Sequence, residues 1–317
     1  MFTLLFSAPN MLPALDRFRP VLERYGLTLI TPEVHERLEE IDLLKYAGQF
    51  DGAICGDDHF SLNVLEKCAP RLCVISKWGT GIDSIDSEAA ARLGIKVCRT
   101  PNAFTLPVAD TVMGYILAFA RLQPWMDRAM KTGTWKKMSG RSLSECTLGV
   151  VGVGTIGKAV IRRAHPFGMK LLGNDIIEID HVFLAEYGVK MTTLEDLLSH
   201  ADFVSLNCDL NPTSLQMINA RTLSLMRQNA VLINTARGPI VDEAALVSAL
   251  KKGTIDGAAL DVFEIEPLPL DSPLHEMDNV MLAPHNANSS PAAWERVHWN
   301  TIKNLVEGLG LTYRGVE

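Results

Sequence analysis

Short apolar runs alternate with longer stretches of mixed polarity along the whole of this chain. In the first hundred residues the apolar runs fall at 2–6, 27–30, 52–55, 72–76 and 96–98. They are nearly continuous rather than alternating, which is the pattern of strands buried on both faces. Between them lie charged segments with helical spacing, such as 33–46 and 84–93. Strand and helix in succession imply a parallel sheet covered by helices. A second alternation begins near Thr147, with strands expected at 148–152, 170–175, 203–206, 230–234, 257–260 and 280–283. Six strands with helical crossovers make a complete dinucleotide-binding sheet. Residues 102–121 read as a long helix joining the two halves, and 292–309 as another. Residues 125–144 break the rhythm, being rich in Lys, Arg, Met and Trp, with Gly133 and Gly140. A stretch of that length without core periodicity marks a functional or interfacial segment.

The chain has 317 residues, 47% of them hydrophobic, and a net charge of −7. That length favours two domains over one core. The mild acidity and the lack of a basic run argue against nucleic acid as a partner. The apolar start, Met1 to Phe6, is short, lacks a basic flank and is followed by Pro9 and Pro13, so it reads as a first strand rather than a signal peptide. No run reaches transmembrane length, so no membrane partner is expected and the cytoplasm is the expected location. The six cysteines include no Cys-x-x-Cys pair, and no histidine cluster has zinc spacing. They read as thiols in a reducing compartment, with no metal site.

Gly152-Val153-Gly154-Thr155-Ile156-Gly157 follows the apolar run 148–151 and precedes a helical pattern at 158–167. Gly152 permits the tight turn, Gly154 lets the backbone approach a pyrophosphate, and Gly157 lets the helix pack on the strand. The helix N-terminus turns its N–H groups toward the phosphates. Asp175 ends the next strand, where a carboxylate accepts from the adenosine ribose and repels a 2′-phosphate. NAD is therefore the expected cofactor, rather than NADP.

Three further segments each end a strand with a reactive side chain: Arg237 in Asn-Thr-Ala-Arg-Gly at 234–238, Glu266 in Asp-Val-Phe-Glu-Ile-Glu-Pro at 261–267, and His285 in Ala-Pro-His at 283–285. Taken singly, each has an ordinary explanation. Arg237 could pair with Asp242 or Glu243, Glu266 could be a loop carboxylate, and His285 could be structural. Taken together, a cation, a carboxylate and an imidazole beyond strand ends can hold an anionic keto acid and move a proton.

In this order, with the glycine turn and Asp175, the chain resembles the D-isomer-specific 2-hydroxy acid dehydrogenases over nearly its whole length. The resemblance implies an α/β fold of two doubly wound domains. A flavodoxin-like substrate domain, residues 1–101 and 286–317, would carry an inserted Rossmann NAD-binding domain, residues 102–285. It implies that Arg237 holds the substrate carboxylate or 2-oxo oxygen, that His285 is the general acid/base and that Glu266 orients the imidazole. Asp261 would bind the nicotinamide carboxamide. Asn207, Cys208 and their neighbours to Leu210 would line the cofactor with Thr235 and Ala236, and Thr111 on the joining helix would approach the nicotinamide. Lys77-Trp78-Gly79-Thr80-Gly81-Ile82-Asp83 resembles the loop whose amides hold the substrate carboxylate. Lys77 either adds charge for a second anion or is a solvated strand-end lysine, and Trp78 either walls the pocket or packs. The resemblance also implies a homodimer formed through the segment containing Trp135.

Some features depart from the family. Asn286 and Asn288 stand where small apolar residues and glycine are common, and Asp209 stands where proline is common. No long regulatory extension follows the last helix, so no serine-type feedback through one is expected. The partner is expected to be a small anionic 2-oxo or 2-hydroxy acid. Lys77, Arg99 and Arg121 put 3-phosphoglycerate first, then hydroxypyruvate or glyoxylate. Two rivals stay open: a phosphite-type dehydrogenase, and an NAD(H)-sensing, corepressor-like binding protein. A formate enzyme is disfavoured by Glu266.

Overall fold

The computed structural model describes residues 2–315. Five strands build the first sheet: β1 (Phe2–Phe6), β2 (Leu27–Ile30), β3 (Gly52–Cys55), β4 (Val74–Lys77) and β5 (Lys96–Cys98). All pairings are parallel, in the order β2-β1-β3-β4-β5, which is the flavodoxin-like order. Strands β3 and β4 are buried along their whole length, so their sequences show apolar runs rather than alternation. Leu5, Phe50, Phe60 and Ile75 lie in the core on one side of this sheet.

The second sheet has seven strands: β6 (Thr147–Val151), β7 (Lys170–Asn174), β8 (Val189–Met191), β9 (Phe203–Leu206), β10 (Val231–Asn234), β11 (Gly257–Leu260) and β12 (Val280–Leu282). They are parallel in the order β12-β11-β10-β9-β6-β7-β8, the Rossmann order with one strand added beyond β11. The direction of winding reverses between β6 and β9, and a crevice at the carboxyl ends of the strands is the general result. Separate apolar clusters pack on the two faces, one around Val150 and Phe203, the other around Leu206 and Leu232.

The chain divides into two compact units, one running up to Phe104 and resuming at Ser290, the other spanning Thr105–Ser289. The division falls three residues after the first expected boundary and four after the second. Phe104 stays with the first unit because its ring packs on Trp78, 5.4 Å between centroids. Ala287 stays with the second because its N–H donates to Asp261.

The structure differs from the expected elements in three places. The strand β8 was not expected, because Val189-Lys190-Met191 at a sheet edge is too short to show a period. The helix expected over 33–46 shrinks to Glu40–Leu44. Leu38 explains this: its N–H donates to Asp58 at 2.8 Å and its carbonyl accepts from His59, so the preceding residues bond to another loop. Conversely, residues 125–144 contain part of a helix, Gln123–Lys131. It starts after a left-handed Leu122 (φ 54°), and none of its residues is buried, which is why no core period shows. Trp125 instead packs beside Phe119, 4.8 Å between centroids. Among the described residues no single helix is long and apolar enough to cross a membrane.

Candidate active site

The carboxyl ends of the second sheet carry the expected site residues in spatial order. His285 lies just beyond β12, Asp261 ends β11, Thr235 to Arg237 follow β10, Asn207 follows β9, Gly152 follows β6, and Asp175 follows β7. Parallel pairing brings these sequence-distant residues to one edge.

At the β6 end the chain turns sharply. Gly152 has φ 86°, and a side chain there would strike the backbone of Asn207 and Cys208 at under 3 Å. A side chain on Gly157 would lie 2.0 Å from the Gly152 carbonyl, so the helix Thr155–Ala164 can start this close to the strand only with glycine. At Gly154 nothing stands within 4 Å of the same position. Asp175 accepts from the Val153 N–H at 2.7 Å and from the Ile177 N–H at 3.1 Å, which ties the acidic residue to the glycine turn. Thr155 is exposed at the helix start and Ile156 is half-buried. Cys208 is mostly buried, and burial pushes its thiol up to about 11, so it is neutral here.

These residues fit a dinucleotide. A helix N-terminus with an open glycine approach suits a pyrophosphate. The Thr235 hydroxyl is buried with no hydrogen-bond partner, a group that a polar ligand would satisfy.

The expected acid/base pair is in direct contact. His285 Nδ1 and Glu266 Oε2 are 2.8 Å apart, each about one-fifth exposed. The other Glu266 oxygen accepts from the Phe263 N–H at 2.9 Å, so the carboxylate is held at both ends. His285 has φ 49°, a left-handed conformation that a side chain adopts only at a cost. Asp261 holds it there. Its carbonyl accepts from His285 N–H at 2.8 Å, and its two carboxylate oxygens accept from Asn286 and Ala287 N–H at 2.8 and 2.9 Å. Burial raises the Asp261 pKa, and the two N–H groups counter that. Thr111, on the helix Thr105–Arg121, donates its hydroxyl to the Ala287 carbonyl at 3.4 Å.

The turn that carries Arg237 lies against the loop that carries Glu266. Gly238 lies so near the Phe263 carbonyl that a Cβ would sit 1.8 Å from it. Asn234 clamps the turn, donating to the Arg237 carbonyl at 2.9 Å and accepting from Ala236 N–H at 3.1 Å. The Arg237 Nη1 donates to the Ala236 carbonyl at 2.9 Å, which sets the direction of the guanidinium.

The family model for the D-isomer-specific 2-hydroxyacid dehydrogenase NAD-binding domain matches residues 113–287. The chain belongs to this family. It is 42% identical over 246 residues to a glyoxylate reductase of Korarchaeum cryptofilum, covering 76% of this chain and 74% of that protein. It is 39% identical to a D-3-phosphoglycerate dehydrogenase of Methanocaldococcus jannaschii, over 84% of this chain but only 49% of the relative. The crystal structure of D-lactate dehydrogenase from Aquifex aeolicus with NAD and lactic acid aligns at a TM-score of 0.84 and 28% identity, covering 99% of this chain and all of that one. Like other D-2-hydroxyacid dehydrogenases, this chain is an NAD-dependent oxidoreductase.

In the flavodoxin-like unit of this dehydrogenase, Lys77 is not the solvated strand-end lysine that was one of its two expected roles. Lys77 belongs to β4 itself and is 4% exposed. Its Nζ pairs with Asp57 at 2.9 Å and donates to the Trp78 carbonyl at 3.1 Å. Trp78 is buried in the unit's own packing, against Phe104 and Trp294. Gly79 is buried, while Thr80 and Gly81 are half-buried. His298, which donates nothing to the Trp78 indole but accepts from it, was not singled out from sequence. Its partner is 220 residues away, so no local signal marks the pair. Among the described residues, no group of three His, Cys, Asp or Glu could hold a metal ion.

Proposed function

We propose that this chain reduces short, unphosphorylated 2-oxo acids of the glyoxylate and hydroxypyruvate kind, with Arg237, Glu266 and His285 as the catalytic residues. The observation that carries the catalytic assignment is the 2.8 Å His285–Glu266 pair beside the Arg237 turn. Gly152, Gly154, Thr155, Ile156, Gly157, Asp175, Asn207, Cys208, Thr235, Ala236, Asp261 and Thr111 are assigned to NAD. Bound NADH supplies the hydride that reduces the C2 carbonyl. Arg237 holds the carboxylate or the 2-oxo oxygen through its planar fork. A carboxylate only accepts, so an ionised Glu266 takes the Nδ1 proton as a hydrogen bond and directs the other ring nitrogen to the substrate. His285 then gives its Nε2 proton to the oxygen, and Glu266 stabilises the imidazolium before transfer. Thr80 and Gly81 amides are assigned to the substrate carboxylate.

The substrate class rests on Lys77. A phosphate or second carboxylate needs a second cation, and this ammonium is matched by Asp57, with the buried Asp58 also in its field. Arg121 belongs to the other unit, where it donates to the Arg141 carbonyl at 3.3 Å. A phosphorylated acid is the second reading, favoured by Arg99, whose exposed guanidinium donates to the Thr80 carbonyl at 3.2 Å. The reading also includes a cytoplasmic homodimer, with the 82% exposed Trp135 in the shared surface.

The test is NADH and NADPH oxidation across glyoxylate, hydroxypyruvate, 3-phosphohydroxypyruvate, pyruvate and longer branched acids, with NAD reduction by phosphite alongside. Higher kcat/KM for hydroxypyruvate than for its phosphorylated form is expected. The reverse ranking would select the Arg99 reading, and turnover of phosphite alone would remove the keto-acid assignment.

A further inference from the structure

The loop 78–81 is held from one side by the last helix, Pro291–Gly308. Four side-chain hydrogen bonds join that helix to the ends of β4 and β5. Ser76 Oγ donates to the Thr301 carbonyl at 2.8 Å, and Trp78 Nε1 donates to His298 Nδ1 at 2.9 Å. Asn300 Nδ2 donates to Thr100 Oγ1 at 2.8 Å, and Asn304 Nδ2 to the Arg99 carbonyl at 3.2 Å. Thr100 then grips the loop itself. Its N–H donates to the Gly79 carbonyl at 2.8 Å and its carbonyl accepts from Thr80 Oγ1 at 2.9 Å.

The Trp78–His298 bond differs from the others in chemistry. Both side chains are withdrawn from water, at 3% and 5% exposure. An indole N–H can only donate, so His298 Nδ1 must be the unprotonated nitrogen of the ring. Burial lowers the His298 pKa; Glu295 on the same helix opposes that and Arg17 adds to it. The neutral ring is thus the resident form. Phe18 stands 5.4 Å from the imidazole centroid, and Phe104 and Trp294 stand 5.4 and 5.8 Å from the indole. An apolar residue at 298 would fill this space, yet would leave the indole N–H buried without an acceptor, which is costly.

We propose that His298 is a positioning residue for substrate recognition: its Nδ1 fixes the Trp78 indole and so sets the Gly79-Thr80-Gly81 backbone to receive the carboxylate of a 2-oxo acid. This rests on the reading of that loop as the carboxylate site. The hydrogen bond and ring contacts of His298, to Trp78 and Phe18, lie within the flavodoxin-like unit, whereas the proposed proton donor and the glycine turn belong to the other unit. The effect of His298 therefore falls on substrate KM, with the chemical step and NADH binding left in place.

The experiment compares the full-length wild type with His298→Leu and His298→Asn. Asparagine can place its Oδ1 near the position of the histidine Nδ1 and keep the acceptor. In the leucine variant, KM for the best 2-oxo acid rises about tenfold, while kcat and NADH Kd stay within about twofold. Amide hydrogen exchange of residues 78–83 becomes faster. The asparagine variant returns both readouts to within about twofold of wild type. A folded leucine variant with wild-type KM and exchange overturns the proposal, as does equal damage from leucine and asparagine. Where the leucine variant does not fold, Trp78→Phe removes the donor and keeps His298; it must raise KM and speed exchange in the same way, and unchanged values overturn the role. The exchange measurement needs no turnover. A protein that reduces no 2-oxo acid would remove the carboxylate reading, whereas unaltered exchange would remove His298 alone.

Discussion

His285 shows how the backbone sets a single side chain in place. A left-handed backbone costs a non-glycine residue about 1–2 kcal/mol. Here three N–H groups in succession, at 285, 286 and 287, are taken by one aspartate, Asp261, which offsets that cost and leaves the ring facing Glu266. The imidazole is positioned by the backbone first and by its carboxylate second. Replacing His285 with alanine removes the proposed proton donor but none of the glycine turn. Steady-state assay of His285→Ala should show kcat lowered by about 10²- to 10⁴-fold, with NADH Kd unchanged by fluorescence titration. Turnover within tenfold of wild type would mean that another group supplies the proton. The residue types of this site were legible from the chain, since the three segments carry them in an ordered combination. The anchoring work of Asp261 was not, because spacing shows neither a backbone partner nor a positive φ.

At the scale of elements, the site depends on how closely two loops can lie. The turn after β10 carries Arg237 and the loop after β11 carries Glu266, and they meet at Gly238 against the Phe263 carbonyl. Adding a methyl group there forces backbone apart rather than displacing a flexible side chain. Gly238→Ala should therefore lower stability by about 1–3 kcal/mol, measured by urea unfolding. It should also raise the 2-oxo acid KM, because Arg237 moves with its turn. A variant with wild-type stability and KM would show that the loops tolerate separation. Strand positions were readable because fully buried parallel strands leave continuous apolar runs, as in β3, β9 and β10. What escaped were elements governed by long-range partners. The segment before Glu40 satisfies its backbone at the loop after β3, and β8 is a three-residue edge whose pairing to β7 alone defines it.

At the scale of the whole molecule, stability should change with pH through a buried carboxyl of the flavodoxin-like unit that takes no part in the proposed chemistry. Asp58 is fully buried in the flavodoxin-like unit, accepting from the Ser7 hydroxyl and from Leu38 N–H. Burial is the largest influence and moves its pKa from 3.8 to about 6, although both hydrogen bonds and the nearby Lys77 pull the other way. The folded state thus holds this proton more tightly than the unfolded chain does. Below pH 3.8 the carboxyl is protonated in both states and its contribution to stability is fully present. Between 3.8 and about 6 only the unfolded chain has released the proton, so stability falls, and above that window the loss is complete. From the size of the window, the wild type should lose about 2 kcal/mol from this group between pH values of about 4.5 and 7.5. Asp58→Asn keeps an acceptor for Leu38 and a donor for the Ser7 oxygen but cannot titrate. Urea unfolding of both proteins at the two pH values isolates the term, because every other titrating group is shared. The difference between wild type and variant should shift by that amount in favour of the variant at the higher pH. An equal pH slope in the two proteins would mean that Asp58 stays ionised in the fold, with Lys77 and the Ser7 hydroxyl outweighing its burial.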